Sequence, residues 1–299
     1  MENNKKHFAE KFEKFYNKSY KSLLLIPIII LLLCSIYMGF FYSNNGDIIH
    51  KDFSLTGGTS VTLLGDLVAD ELEMGLSGKL NEVNIRQTYN IITREQTSLI
   101  VETKSEIEET REVLEGYLGY DLNEENSSFE FTNPVLGESF YKQLLATLFL
   151  AFFFMGLVVF LIFRNFVPSV AVIISAFADI FMTLTFVNIL GIKLSSGGIV
   201  AFLMLIGYSV DTDILLTNRL LKRSEGELNE RLFSSFKTGM TMTLTSLVAI
   251  ILALIISISF SNLLTQIFTI LTIGLVFDLL NTWITNASIL KWHLEKNEN

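Results

Sequence analysis

Four carboxylates stand in stretches otherwise apolar enough to cross a membrane: Asp179, Asp211, Asp213 and Asp278. Holding an ionised Asp at the centre of a membrane helix costs about 2.5–3.5 kcal/mol even on insertion scales. A helix keeps such a residue where it faces protein or a water-filled cavity, and there a carboxylate can pass a proton. The alternative is a neutral, hydrogen-bonded acid that fixes helix packing. The pair in "LIGYSVDTDILLTNR" (Leu205–Arg219) carries the most information. Residues two apart on a helix differ by about 200° in direction. Asp211 and Asp213 therefore point nearly opposite ways. Ser209, Asp213 and Thr217 share one face; Gly207, Asp211 and Leu215 share the other. A single bundle core takes only one of these faces, so the fourth span is expected to meet protein or water on two sides.

Neighbouring stretches offer polar partners. Asp278, Asn281 and Thr285 make one stripe at i, i+3, i+7. Thr238, Thr241 and Thr245 make another, with Ser246 beside them, although threonines also bond within their own helix. The nearest cation to Asp211 along its helix is Arg219, two turns away, and no Lys or Arg lies deep in the last five spans. His7, His50 and His293 are scattered, so no metal constellation forms. No nucleophile–base pair and no nucleotide-binding loop stands out, and no cofactor is expected.

The elements that hold these residues follow from composition. Half of the 299 residues are hydrophobic, and the mean hydropathy is +0.47. That excludes an ordinary soluble domain and points to a membrane protein with one soluble insertion. Six spans are expected: Ser22–Tyr42, Leu144–Phe163, Val167–Leu190, Leu194–Leu216, Met240–Phe260 and Leu263–Leu290. The first is too long for the apolar core of a cleaved signal peptide. Asp211 then lies roughly 9 Å off the midplane, at 1.5 Å per residue. The regions 1–21, Arg164, Arg219–Lys237 and the tail 291–299 hold 14 of the 22 basic residues. The positive-inside rule places both termini in the cytoplasm and residues 43–141 outside. Residues 142–290 would form a five-helix bundle. The outside domain holds 19 acidic against 6 basic residues, and the rest of the chain is only mildly basic, which argues against nucleic acid as a partner. The single cysteine, Cys34, lies in an apolar run and forms no disulfide within the chain.

Residues 43–141 show a β-α-β-β-α-β rhythm. Strands are expected at Ser60–Leu64, Val83–Thr93, Ser98–Thr103 and Ser128–Val135, with a turn at Arg94–Thr97. Helices are expected at Val68–Leu80 and after Ser105, where Ser105 and Glu108 read as a capping box. Ile107, Leu114 and Leu118 form its apolar stripe. Such a unit is ferredoxin-like. The fold class is thus a polytopic α-helical membrane protein of six transmembrane helices, with an α+β extracytoplasmic domain between helices 1 and 2.

"IGYSVDTDILLTNRLLKR" (Ile206–Arg223), with Gly207 and Arg219, resembles the fourth-span signature of the archaeal SecF family. "LTGGTSVTL" (Leu55–Leu63), with Gly57, Gly58 and Thr59, is similar to the glycine-rich segment after the first span in SecD and SecF proteins. The resemblance covers nearly the whole chain. It implies an accessory subunit of the Sec protein translocase, not an enzyme, assisting preprotein export with a SecD-like six-span partner beside the translocon channel. It also implies a place in the lipid of the cell membrane and coupling to the proton-motive force. The chain departs from the bacterial pattern in two places. Ser54 and Leu55 stand where an acid and a Phe are usual. In the fourth span the bacterial SecF acid falls at Thr212, whereas Asp211 falls where SecD carries its functional Asp. On that ground Asp211 is expected to matter more for export than Asp213, which Ser209 and Thr217 could hold. Two rival readings are a half-transporter of the same superfamily, exporting a small molecule or lipid, and an intramembrane aspartyl protease. The Gly-x-Gly-Asp signature of the protease is absent before Asp211.

Overall fold

A computed structural model describes residues 16, 19–65, 67–89, 95–222, 228–258 and 261–298. Among the described residues, six helices are long and apolar enough to cross a membrane. Span 1 is Leu25–Asn45, span 2 Pro134–Phe163, span 3 Phe166–Ile189, span 4 Ser196–Lys222 and span 5 Leu228–Ser257. Span 6 begins as Asn262–Leu280, passes through a π-helical turn at Asn281–Asn286 and continues as Ala287–Glu298. Spans 3 and 4 form the centre, and spans 1 and 2 are largely exposed, turning Leu32, Leu33, Phe149 and Phe153 outward. For a helix in lipid an apolar outer surface is the solvated one.

Several helix ends differ from expectation; span 4, for one, runs on to Lys222 rather than ending at Leu216. Span 2 starts ten residues early because Pro134 suits the first helical position, its missing N–H being unpaired there anyway. The last strand accordingly stops at Thr132 rather than Val135. Span 5 starts at Leu228, not Met240. Its first turns look polar, yet Leu228, Leu232, Ser235 and Gly239 recur at helical spacing and are all buried. The tail does not hang free. Span 6 carries on through it, and Lys291 is buried, with Nζ 2.8 Å from Asn229 Oδ1 and set against the Tyr16 and Tyr20 rings.

Between spans 1 and 2 lies a four-stranded antiparallel sheet with three helices, the first a single turn. In chain order these are α1 (Phe53–Thr56), β1 (Gly58–Leu64), α2 (Ala69–Leu76), β2 (Asn84–Tyr89), β3 (Gln96–Thr103), α3 (Ile107–Leu118) and β4 (Ser127–Thr132). The sheet order β2-β3-β1-β4, all neighbours antiparallel, is the ferredoxin-like arrangement. Val61 and Leu63 on β1, Leu99 and Val101 on β3, Leu72 and Leu76 on α2 and Leu114 on α3 make its core. Residues two apart on a strand face the same side, which is why the sheet buries every second residue. Of the second expected strand, Val83–Thr93, the described part is Asn84–Tyr89; its far end and the start of the Arg94–Thr97 turn lie outside the described residues. The first expected helix ends at Leu76, ahead of Gly78, whose φ is +82°.

The capping box does not form. The residue preceding α3 is Glu106, and no side chain caps the helix. Ser105 Oγ instead accepts from the Asn81 N–H at 3.3 Å, at the entrance to β2. Because this core is closed on itself, the excised domain (residues 57–133) is expected to fold alone. Circular dichroism should show a cooperative α+β melt, and a helical or unfolded spectrum would contradict the assignment.

The domain is fastened to the bundle at the start of span 4. Asp52 N–H donates to Leu194 O at 2.9 Å, and Leu194 N–H to His50 O at 2.6 Å. Arg86 on β2 bridges Asp52 at 2.6 Å and Glu102 at 2.9 Å. Burial raises the Glu102 carboxyl above its ordinary range; Arg86 opposes that shift and Asp52 adds to it. Nearby, burial works against ionising Asp47, but hydrogen bonds from Lys51, Tyr141 and the Ile48 N–H outweigh it and hold that carboxyl low.

Candidate functional site

Three of the four membrane carboxylates meet in the bundle core, and the fourth does not. Asp179 of span 3, Asp213 of span 4 and Asp278 of span 6 are each fully buried. Asp211 is exposed on the outside of the bundle.

The meeting arises from a spacing shared by spans 3 and 4. Each carries Ser-x-x-x-Asp: Ser175 with Asp179, and Ser209 with Asp213. Residues four apart lie on one face. Set side by side in opposite directions, each helix offers its Ser to the other's Asp. Ser209 Oγ donates to Asp179 Oδ2 at 2.6 Å, and Ser175 Oγ to Asp213 Oδ1 at 3.3 Å. Span 6 closes the cluster. Asn281 Nδ2 donates to Asp179 Oδ1 at 2.7 Å, Asn286 Nδ2 to Asp213 Oδ1 at 2.8 Å and Thr282 Oγ1 to Asp278 Oδ1 at 3.1 Å. Thr285 Oγ1 donates to Asn281 Oδ1 at 3.0 Å.

Asn281 through Asn286 are the π-helical residues. An i→i+5 turn advances less per residue than an α-turn and brings Asn281, Thr282, Thr285 and Asn286 together on the buried side. The sequence reading found Asn281 and Thr285 but missed Thr282, Asn286 and Ser175. The repeated Ser-x-x-x-Asp was the available signal for Ser175; nothing local announces the π turn. The expected holders of Asp213 are also corrected. Ser209 serves Asp179, and Thr217 Oγ1 makes no hydrogen bond with any described residue.

The threonine stripe of span 5 stays out of the cluster. Thr238, Thr241 and Thr245 bond to carbonyls of their own helix, at Ser234, Lys237 and Thr241. Arg219 Nη1 ties span 4 to span 5 through Thr238 Oγ1 at 2.9 Å and Ser234 O at 3.1 Å.

Around Asp211, Gly207 and Tyr208 are exposed as well. A Cβ added at Gly207 would meet nothing within 4 Å. The two acids of span 4 thus face opposite ways. They cannot share a proton, as an aspartyl protease dyad must. Among the described residues no group of three or more His, Cys, Asp or Glu converges to hold a metal.

The glycine-rich segment has a different task. Gly57 and Gly58 adopt φ of +77° and +134° at the entrance to β1, pressed against Pro134 and the Thr103 carbonyl. Thr59 Oγ1 donates to Ser105 O at 2.7 Å. Ser54 Oγ accepts from the Ser196 N–H at 3.2 Å, at the start of span 4, and Leu55 is buried among the bundle residues. At these two positions the chain therefore carries packing and helix-end roles.

The family model described as protein export membrane protein SecD/SecF, C-terminal, matches residues 115–296. Protein-export membrane protein SecF of Methanocaldococcus jannaschii is 38% identical over 284 residues, covering 93% of this chain and 96% of the relative. The protein of the same name from Pyrococcus furiosus is 34% identical, over 97% of this chain and 96% of its own. The chain belongs to the SecF family. The crystal structure of SecDF from Thermus thermophilus superposes with a TM-score of 0.71 at 18% identity, over 93% of this chain. This chain spans only 38% of that longer one. The fold is thus shared with one part of a larger SecDF molecule. In this SecF-family chain the glycine segment shapes the domain entrance, and span 4 divides its two acids between core and outer face.

Proposed function

We propose that this chain is the SecF-type accessory subunit of a protein-export apparatus, docked in the membrane against a SecD-like six-span partner. One observation carries the reading. Asp211, with Gly207 and Tyr208, lies on an outer face of span 4 that none of the described residues covers. An acid facing hydrocarbon is costly, so a membrane protein keeps it where protein or water lies against it. A small residue beside it permits close helix approach. The length of the SecDF chain from Thermus thermophilus, of which this chain matches one part, is in keeping with a second half-unit at that face.

In this reading the termini lie in the cytoplasm and the α+β domain on the far side of a cell membrane, as the distribution of basic residues suggests. The domain would stand where preproteins leave the translocon channel. Lipid surrounds spans 1 and 2. Asp211 is the acid placed to couple export to the proton-motive force, at the seam between the two half-units. Asp179, Asp213, Asp278 and Asn281 hold spans 3, 4 and 6 in register behind it.

Asp211→Asn keeps size and hydrogen bonding but removes the titrating group. The variant is expected to insert and bind its partner normally while gradient-driven export falls. Asp213→Asn should lower gradient-driven export less. Equal export by wild type and Asp211→Asn, with the complex assembled and the gradient present, would reject coupling through this residue.

A further inference from the structure

The buried cluster contains more oxygen acceptors than its donors satisfy. Asp213 Oδ2, Asn286 Oδ1 and Thr217 Oγ1 are buried atoms that make no hydrogen bond with any described residue. All three residues are fully buried. Thr217 lies one helical turn from Asp213 on the same inward face of span 4, and the Asn286 amide is already seated on Asp213 Oδ1 at 2.8 Å. An unmatched buried carboxylate oxygen and amide oxygen are each expensive. The charge is unbalanced as well. Asp179, Asp213 and Asp278 are buried together, and none of the ion pairs among the described residues includes one of them.

We propose that Asp213, Thr217 and Asn286 form a binding site for a sodium ion in the core of the bundle. A carboxylate, an amide and a hydroxyl oxygen are hard ligands, of the kind that suits small hard cations over transition metals. One carboxylate with two neutral oxygens matches a single positive charge. Asp213 is the single carboxylate among the three proposed ligands, so a divalent ion would find too few anionic ligands. A proton on Asp213 would relieve one oxygen and could bridge to the Asn286 carbonyl, but it brings nothing to Thr217. A cation seated at Asp213 Oδ2 would draw on the Asn286 amide oxygen, whose amide already touches this carboxylate, and on the Thr217 hydroxyl one turn along the same face. The site sits where span 6 leaves α-helical geometry at Asn281–Asn286, and membrane transporters build their ion sites at such breaks in regular helix. The bound ion would lock span 4 to span 6 on the side away from Asp211. The site rests on this geometry and not on the export reading, so it stands or falls separately from it.

The test is thermal unfolding of the purified full-length chain in nanodiscs, at fixed pH and ionic strength. Sodium chloride is titrated against N-methyl-D-glucamine chloride, with potassium chloride as a third arm. Sodium is expected to raise the midpoint in a saturable way, because a ligand bound only by the folded state stabilises it. Thr217→Val keeps shape and removes one ligand, and should weaken the apparent sodium affinity by about tenfold or more. Radioactive sodium binding by the wild-type chain gives a second readout that needs no variant, with one saturable site per chain expected. Equal midpoints in sodium and N-methyl-D-glucamine would overturn the proposal. So would a sodium effect that Thr217→Val leaves unchanged, a stabilisation that follows pH alone, or the lack of saturable sodium binding by the wild type.

Discussion

Gly58→Val is expected to disorder the α+β domain while leaving the six spans inserted. Gly58 adopts φ +134°, where L side chains are strained. A Cβ there would lie 2.2 Å from Thr103 O and 3.0 Å from Lys104 Cα, both backbone atoms that cannot swing aside. The next residue begins the β1–β3 ladder, with Thr59 opposite Thr103. Relieving the clash means opening that ladder at its end. Backbone strain of about 1–3 kcal/mol adds to the lost pairing. The sum should be on the order of 4 kcal/mol, a large share of what a small domain possesses. Gly78→Ala is the control. Its φ of +82° is unfavourable for alanine, but nothing lies within 4 Å of the added Cβ, so about 1–2 kcal/mol is expected. Limited proteolysis of the full chain reads both. The Gly58 variant should be cut within residues 58–132 at protease levels that spare the wild type and the control, and equal resistance would contradict the account.

Asp179→Ala is expected to lower the stability of the bundle by about 2–4 kcal/mol. Asp179 accepts from Ser209 on span 4 and Asn281 on span 6, so one side chain joins three helices. Alanine strands both donors, at about 1–3 kcal/mol each, and leaves a gap. Removing a buried carboxylate returns part of this, since its desolvation is itself costly. Asp179→Asn keeps one acceptor oxygen and should lose about 1 kcal/mol. Thermal unfolding in nanodiscs measures both variants. An alanine variant more stable than wild type would mean that the carboxylate is a net liability to the fold, kept for some other reason.

The spans and the four acids were legible in the sequence because hydropathy is a sum over some twenty residues and tolerates local error. The ferredoxin-like class of the domain followed from the β-α-β-β-α-β rhythm, and its central strands were legible because Val61, Leu63, Leu99 and Val101 alternate cleanly. Opposed faces for Asp211 and Asp213 followed from helix geometry alone. The companions of Asp213 did not. Which Ser meets which Asp depends on the stagger of spans 3 and 4, and the π turn at Asn281–Asn286 arises from how span 6 meets both. The capping box failed for a similar reason: Ser105 Oγ, free to cap in a lone helix, is held by the Asn81 N–H across the domain. The start of span 5 was hidden because Asn229, Glu230 and Arg231 lower the local hydropathy, although Leu228 and Leu232 beside them are buried.

On the proposed function, span 4 presents its Asp211 face to a second six-span chain and its Asp213 face to its own core. Single cysteines placed along Ile206–Thr217, in a background where Cys34 is replaced by alanine, test this directly by disulfide crosslinking in native membranes. Cysteines at Gly207, Tyr208 and Asp211 are expected to link to a SecD-like partner carrying cysteines on its own fourth span, whereas Ser209 and Asp213 positions should give no product. Crosslinks formed only between copies of this chain, or with equal yield from both faces, would contradict the account.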